Sequence, residues 1–377
     1  MDQVVWAEID LSAIEHNLKE VRRLISPKTQ IMAVVKADAY GHGAFFVARK
    51  VVDIGAKYLA VARLDEAIFL RVKGIDKDIL ILGYVPENRL KEVFEYNLMV
   101  SVFDIDQAKA YEKVARSLGK KLNVHIKVDT GMGRLGFVLC DESVKKKSME
   151  EIFDLLQIKE FNIKGIYTHF ACADEEDLTF SYKQLSIFSE LKEAIEKKIK
   201  NKILFHVANS AGIIQLPMAH LDVVRPGIML YGLYPSNYVK SLKRVNLKPA
   251  MSLKAKIVQV KEVDKGFRVS YGATYATNKK CRLATIPVGY ADGYPRILSN
   301  TGVVLVKGKR AKICGRVCMD QIVVDVTGID VHIGDEVLIF GRDEYGELSA
   351  DEVATLAGTI NYEIVSSLTK RVKKFYM

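Results

Sequence analysis

No stretch of the chain approaches the ~18–20 uninterrupted apolar residues of a membrane-spanning helix. Its start, MDQVVWAEID, is acidic and lacks the basic-then-apolar order of a secretory leader. A cytoplasmic protein is the expectation. Cysteine is scarce and odd in number, with five residues (Cys140, Cys172, Cys281, Cys314, Cys318), so no disulfide framework is expected and the thiols are read as reduced. Neither HExxH nor a Cys/His cluster of zinc spacing occurs, which argues against metal catalysis. No Gly-x-Ser-x-Gly elbow is present, which disfavours a serine hydrolase of that type. Internal repeats and low-complexity tracts are missing too.

What remains is ordinary globular material: 377 residues, 49% apolar and 27% charged, enough for about two domains. Lys and Arg exceed Asp and Glu by 56 to 46, a formal charge of +10. The lysines are dispersed and no recognition motif accompanies them, so a solvated exterior is favoured over a nucleic-acid surface. An anionic small ligand fits the same excess.

Residues Asp10 to Ile25 carry apolar side chains at helical spacing, with Ser12 and Glu15 as a candidate capping box. Eight short apolar runs follow, each leading into a helical segment: Ile31 to Val35, Tyr58 to Ala62, Ile79 to Leu82, Leu98 to Val102, Leu122 to Val128, Ile163 to Tyr167, Ile203 to Val207 and Leu221 to Val224. Near-continuous Val/Ile/Leu runs alternating with amphipathic helices indicate parallel strands covered by helices, and eight such units can close into a (β/α)8 barrel. An open doubly wound sheet is the competing arrangement. After Pro235 the pattern changes, and from Lys248 short β-branched runs are separated by turn residues, as in a mainly β domain. The expected partition is an α/β barrel over 1–243 and a mainly β C-terminal domain over 244–377.

Barrel chemistry gathers at the carboxyl ends of the strands. The first run ends in Lys36, the fifth in Lys127, the sixth in His169, the seventh in Asn209-Ser210 and the eighth in Arg225-Pro226-Gly227. Lys36 at the rim of an apolar interior is either a nucleophile or base with a lowered pKa, or a strand-end lysine reaching for water. Ser210, Gly212, Gly227 and Ile228 lie where barrels often bind phosphate, although glycines there also serve as plain turn residues. Together with Lys36 they suggest a phosphorylated carbonyl cofactor attached to the lysine. His169 is open to reading as a core histidine.

Four barrel segments now stand out: Ala33-Val-Val-Lys36-Ala-Asp-Ala-Tyr40-Gly-His-Gly43, Lys127-Val-Asp-Thr-Gly-Met-Gly-Arg134, Thr168-His169-Phe-Ala and Val224-Arg225-Pro-Gly-Ile-Met-Leu-Tyr231. Four more lie beyond: Val269-Ser-Tyr271-Gly, Pro287-Val-Gly-Tyr290-Ala-Asp-Gly-Tyr294, Val317-Cys-Met319-Asp320 and Thr359-Ile-Asn-Tyr362. In this order and spacing the chain resembles the bacterial alanine racemases over nearly its whole length.

The resemblance implies pyridoxal 5'-phosphate on Lys36, with Lys36 and Tyr271 as bases on opposite faces of the substrate carbon. Removal of a proton from one face and delivery to the other is what racemisation demands. It further implies a chain of contacts from Tyr271 through His169 to Arg225 and the pyridine nitrogen. Tyr40, Ser210, Gly227, Ile228 and Tyr362 are implied to hold the phosphate, and Arg134 and the Met319 amide the substrate carboxylate. Lys127 is implied as a carbamylation site. A homodimer with shared active sites and a role in making D-alanine for peptidoglycan complete what the family suggests, with alanine as substrate and no nucleic-acid or membrane partner.

Serine racemisation or a broader substrate range is the nearest alternative. A related decarboxylase is a second, although an acidic residue is expected there in place of Arg225. A carrier that merely binds pyridoxal phosphate is a third, but such carriers lack a second domain.

Overall fold

The computed structural model describes residues 3–199 and 202–377. Two compact units divide the chain, one formed by Ile14–Ala39 and Ala44–Lys248, the other by Met1–Ala13, Tyr40–Gly43 and Pro249–Met377.

In the first unit eight parallel strands follow the order Val223–Val224, Gln30–Val34, Tyr58–Val61, Asp78–Ile81, Met99–Val102, Leu122–Asp129, Phe161–Tyr167, Leu204–His206. The ring nearly closes where Asp222 N–H donates to Phe205 O (3.2 Å) and Arg225 N–H to Ala208 O (2.9 Å). Each of the eight apolar runs contributes a strand, so the barrel, not the open sheet, is the fold. Strand interiors such as Ile31, Met32, Ala33, Leu59, Ile79 and Ile126 are solvent-inaccessible, as two-sided burial requires. The covering helices have local reasons to start and stop. Ile105–Leu118 begins after Asp104, whose side chain accepts the amides of Asp106 and Gln107, and ends at Gly119 in the left-handed region (φ 60°).

The entry helix runs Leu11–Leu24, but its cap is not the Ser12/Glu15 box. Asp10 Oδ1 accepts the amides of Ser12 (2.8 Å) and Ala13 (3.0 Å). Glu15 instead pairs with Lys19 and Lys50. The carboxylate two residues upstream takes the free amides, and the Ser12 hydroxyl itself donates to Asp10.

The second unit is a ten-stranded sheet, mostly antiparallel, and it departs from a single cut at 243/244. Val5–Ile9, expected within the barrel region, pairs antiparallel with Met251–Lys256 and parallel with Lys373–Tyr376. Trp6 on that strand is fully buried. Tyr40–Gly43 also belongs to this unit because Gly41 and Gly43 lie against it: a Cβ on Gly41 would fall 2.0 Å from Val365 O, and one on Gly43 1.9 Å from the Tyr376 hydroxyl. The run Ala255 to Val263 proves to be two strands, Met251–Lys256 and Gln259–Val263. Short helices at Ala350–Ala357 and Asn361–Ser366 complete the unit.

Candidate active site

Lys36 lies two residues past the strand Gln30–Val34 and opens an uncommon backbone turn. Ala37, Asp38, Ala39 and Tyr40 all adopt left-handed φ values (52°, 52°, 55° and 52°), which L-residues avoid at about 1–2 kcal/mol each. The turn is held by side chains. Glu66 accepts the Ala37 amide (2.6 Å) and Asp38 accepts the Ala44 amide (2.7 Å). This anchorage turns the chain sharply while Lys36 keeps its place at the strand end. Burial, and next the charge of Arg134, lower the pKa of the Lys36 ammonium, with Glu66 opposing them.

Arg225 follows Val223–Val224 and is almost wholly buried (3% exposed). Its guanidinium donates to Thr168 O (2.6 Å), Val207 O (3.0 Å), His206 Nδ1 (2.6 Å) and His169 Nδ1 (3.3 Å), all neutral acceptors. Burial lowers its pKa to about 10, which still leaves it charged at neutral pH. His169, half-buried, is driven well below the usual histidine range by burial and then by Arg225, so it accepts from Arg225 as a neutral ring. Lys127 points from Leu122–Asp129 over the Tyr167 ring, 5.6 Å from its centroid. Burial, Arg134 and Arg225 lower it to about 8.

Ser210 opens the helix Ser210–Gln215 after the cap Asn209, whose Oδ1 accepts the Gly212 amide (2.9 Å). Its own hydroxyl accepts the Gly227 amide (2.9 Å) and a longer bond from Met229 (3.4 Å), tying the seventh strand's loop to the eighth's. Ile228 begins the single turn Ile228–Tyr231 directly after Gly227. A Cβ at Gly212 would meet the Phe170 ring at 3.0 Å, so this position is tight for any side chain. Arg134 is exposed on the loop after Leu122–Asp129.

In the β unit, Tyr40 and Tyr362 face one another with ring centroids 6.1 Å apart, and burial pushes the Tyr40 phenol up to about 12. Tyr271 is 70% exposed, presented by a turn in which Ser270 and Gly272 have positive φ (64° and 70°). Met319, 51% exposed, lies in a loop whose carbonyls at Cys318 and Met319 accept the amides of Tyr290 and Ala291.

The structure thus gathers Lys36, Lys127, Arg134, His169, Ser210, Arg225, Gly227 and Ile228 in the barrel unit, and sets Tyr40 beside Tyr362 in the other. His206, His125 and Tyr167 are not among the site residues that the sequence points to, yet His206 touches Arg225 directly. The available signal was a histidine within an otherwise apolar strand.

The strand ends of this parallel barrel carry an amine of lowered pKa, a buried guanidinium and a serine tied to the following loop, groups of the kind that accept an anionic, carbonyl-bearing ligand. Models of the alanine racemase N-terminal and C-terminal domains match residues 9–235 and 250–376. The alanine racemase of Desulforamulus reducens is 48% identical, with all of both chains covered, and that of Methanococcus maripaludis 46%, with 99% and 98% covered. Among solved structures, Clostridium difficile alanine racemase matches with a TM-score of 0.93 at 40% identity, covering 100% of this chain and 96% of that one. Bacillus anthracis alanine racemase with bound L-Ala-P gives 0.93 at 36%, with the same coverage. The chain belongs to the alanine racemase family. It is an isomerase, and its reaction is the interconversion of L- and D-alanine.

Proposed function

We propose that the chain racemises alanine with pyridoxal 5'-phosphate on Lys36, using Lys36 and Tyr271 as bases on opposite faces of Cα. The observation that carries this reading is the donor set at the barrel's strand ends. A lysine of lowered pKa suits a carbonyl group, the Ser210 hydroxyl held at the Gly227 turn suits a phosphate, and a guanidinium whose hydrogen-bond partners among the described residues are neutral suits an unprotonated ring nitrogen. When bound, the cofactor withdraws electrons from Cα and so eases loss of its proton.

The chain's own residues do the rest. The Lys36 amine takes or returns a proton on one face, and the Tyr271 phenol does so on the other. Arg225, which cannot accept a proton from the ring, limits electron withdrawal and thereby suppresses transamination. His169 links Arg225 toward Tyr271 in this reading. Ser210, Gly227, Ile228, Tyr40 and Tyr362 hold the phosphate, while Arg134 and the Met319 amide receive the substrate carboxylate. Lys127 is proposed to be carbamylated, which places an anion beside Arg134. Tyr271 is supplied by a second copy in a homodimer with shared sites, and the enzyme works in the cytoplasm, making D-alanine for peptidoglycan. Solved relatives include a Clostridium difficile enzyme in complex with cycloserine and one with bound L-Ala-P, which supports a small amino-acid pocket.

Borohydride reduction followed by peptide mapping tests the assignment. The cofactor is expected on the peptide carrying Lys36; label elsewhere, or none, rejects it.

A further inference from the structure

Arg225 is held from below by a second set of groups that the reaction does not explain. Its Nη1 meets His206 Nδ1 at 2.6 Å, and His206 Nε2 meets His125 Nδ1 at 2.9 Å. Both imidazoles are solvent-inaccessible. A guanidinium only donates, so His206 Nδ1 is bare; a neutral His206 then carries its proton on Nε2 and donates it to His125 Nδ1. His125 in turn carries its proton on Nε2, an atom with no hydrogen-bond partner among the described residues.

The surroundings are built for this arrangement. Gly165 lies opposite His125 in the sheet register, and a Cβ there would fall 2.4 Å from His125 Nδ1. Tyr167 stacks on His206, with centroids 4.8 Å apart and planes 3° from parallel. Ser101 Oγ donates to Ile81 O (2.7 Å) and so accepts from the Tyr167 hydroxyl (2.7 Å), which fixes that ring. Among the described residues the titratable groups against His206 are Arg225, His125 and Tyr167, with no carboxylate among its partners. Burial and the charge of Arg225 hold both histidines below their ordinary range.

We propose that His206 and His125 are positioning residues for Arg225: two neutral imidazoles, each protonated only at Nε2, that orient the guanidinium while leaving its charge without a counter-ion. A carboxylate in the place of His206 would orient Arg225 equally well but pair with it. The functional half of this inference rests on the reading that Arg225 faces the cofactor's ring nitrogen; the tautomer half does not.

Nitrogen-15 NMR of histidine-labelled protein, assigned with single histidine variants, reads the tautomers directly. Nε2–H is expected for both rings at pH 7. A proton on His206 Nδ1, or a doubly protonated ring, overturns the proposal, and this measurement on the unaltered chain stands even if a variant fails to fold. His206→Asn and His206→Asp then separate orientation from charge. The neutral acceptor is expected to hold kcat within about threefold, whereas the carboxylate lowers it about tenfold or more with KM changed less than about twofold. The cofactor's absorbance–pH profile should shift only in the carboxylate variant. Equal kcat and equal profiles in the two overturn the proposal. Arg225→Glu reports on the reading beneath it: an unchanged profile there, with Nε2–H tautomers found, rejects the placement of Arg225 at the ring nitrogen and leaves the neutral relay supported.

Discussion

Asp129 organises the backbone that carries Arg134: its Oδ2 accepts the Arg134 amide at 3.2 Å, while Oδ1 accepts those of Gly131 and Met132, each at 2.8 Å. The loop is thus wound around one carboxylate at the end of Leu122–Asp129. Gly136 closes it with φ 133°, and a Cβ there would fall 2.5 Å from the Asp129 backbone nitrogen.

Removing that carboxylate should loosen Arg134 without touching the bases. Asp129→Ala is expected to raise KM for alanine about tenfold, with a smaller change in kcat, as lost positioning of a carboxylate-binding arginine predicts. Steady-state kinetics in both directions check it, and an unchanged KM would detach Arg134 from substrate binding.

Arg225→Glu should slow racemisation and raise transamination, because a carboxylate favours the protonated ring that Arg225 opposes. The two rates are expected to move in opposite directions when pyruvate and D-alanine are followed together. A parallel fall in both would mark Arg225 as structural.

Lys127, lowered to about 8, has roughly a tenth of its amine neutral at pH 7, and the neutral amine is the form that takes up carbon dioxide. Carbon-13 NMR after exposure to labelled bicarbonate should show a carbamate signal that disappears in Lys127→Ala. Its persistence in that variant would place the carbamate elsewhere.

Acid should unfold the protein early. His125 is lowered to about 3, and His169 and His206 also fall below the unfolded value of ~6.5, so the unfolded chain binds more protons than the fold below that pH. Stability is therefore retained above about pH 6.5 and lost as pH falls below it, by up to about 1.4 kcal/mol per pH unit for each histidine that stays neutral in the fold, for His125 down to about pH 3. Urea denaturation at pH 7.5, 6 and 5 should show this slope reduced by about one proton in His125→Gln.

A two-fold pair of chains would make sites combining Lys36 of one subunit with Tyr271 of the other. Coexpressed Lys36→Ala and Tyr271→Phe chains should then regain activity in the mixed dimer, where one site is intact. A verified mixed dimer that stays dead argues that both bases come from one chain.

The barrel was legible because a strand buried on both faces leaves an unbroken apolar run, and eight of these alternated with helices. Lys309–Ile313 escaped notice since three of its five residues are cations; only Ala311 and Ile313 turn inward. Val5–Ile9 was missed for a different reason: the partners that make it a strand lie far along the chain, and local periodicity carries no trace of them. At the site, Lys36 and Arg225 stood out as charges ending apolar runs. His125 and His206 sit inside such runs, where a half-apolar ring blends with strand residues and its polar role emerges only once the barrel brings it to Arg225.

The strand Val5–Ile9 sets the order of events during synthesis. It leaves the ribosome before any barrel strand, but Met251–Lys256 and Lys373–Tyr376 follow only after the barrel has been made. Until then its two edges, with Trp6 between them, have no sheet to join, so a nascent chain must carry this apolar segment through the whole of barrel formation. Chaperone dependence should therefore track the first strand: polar replacement of Trp6 would ease the wait and weaken the finished sheet.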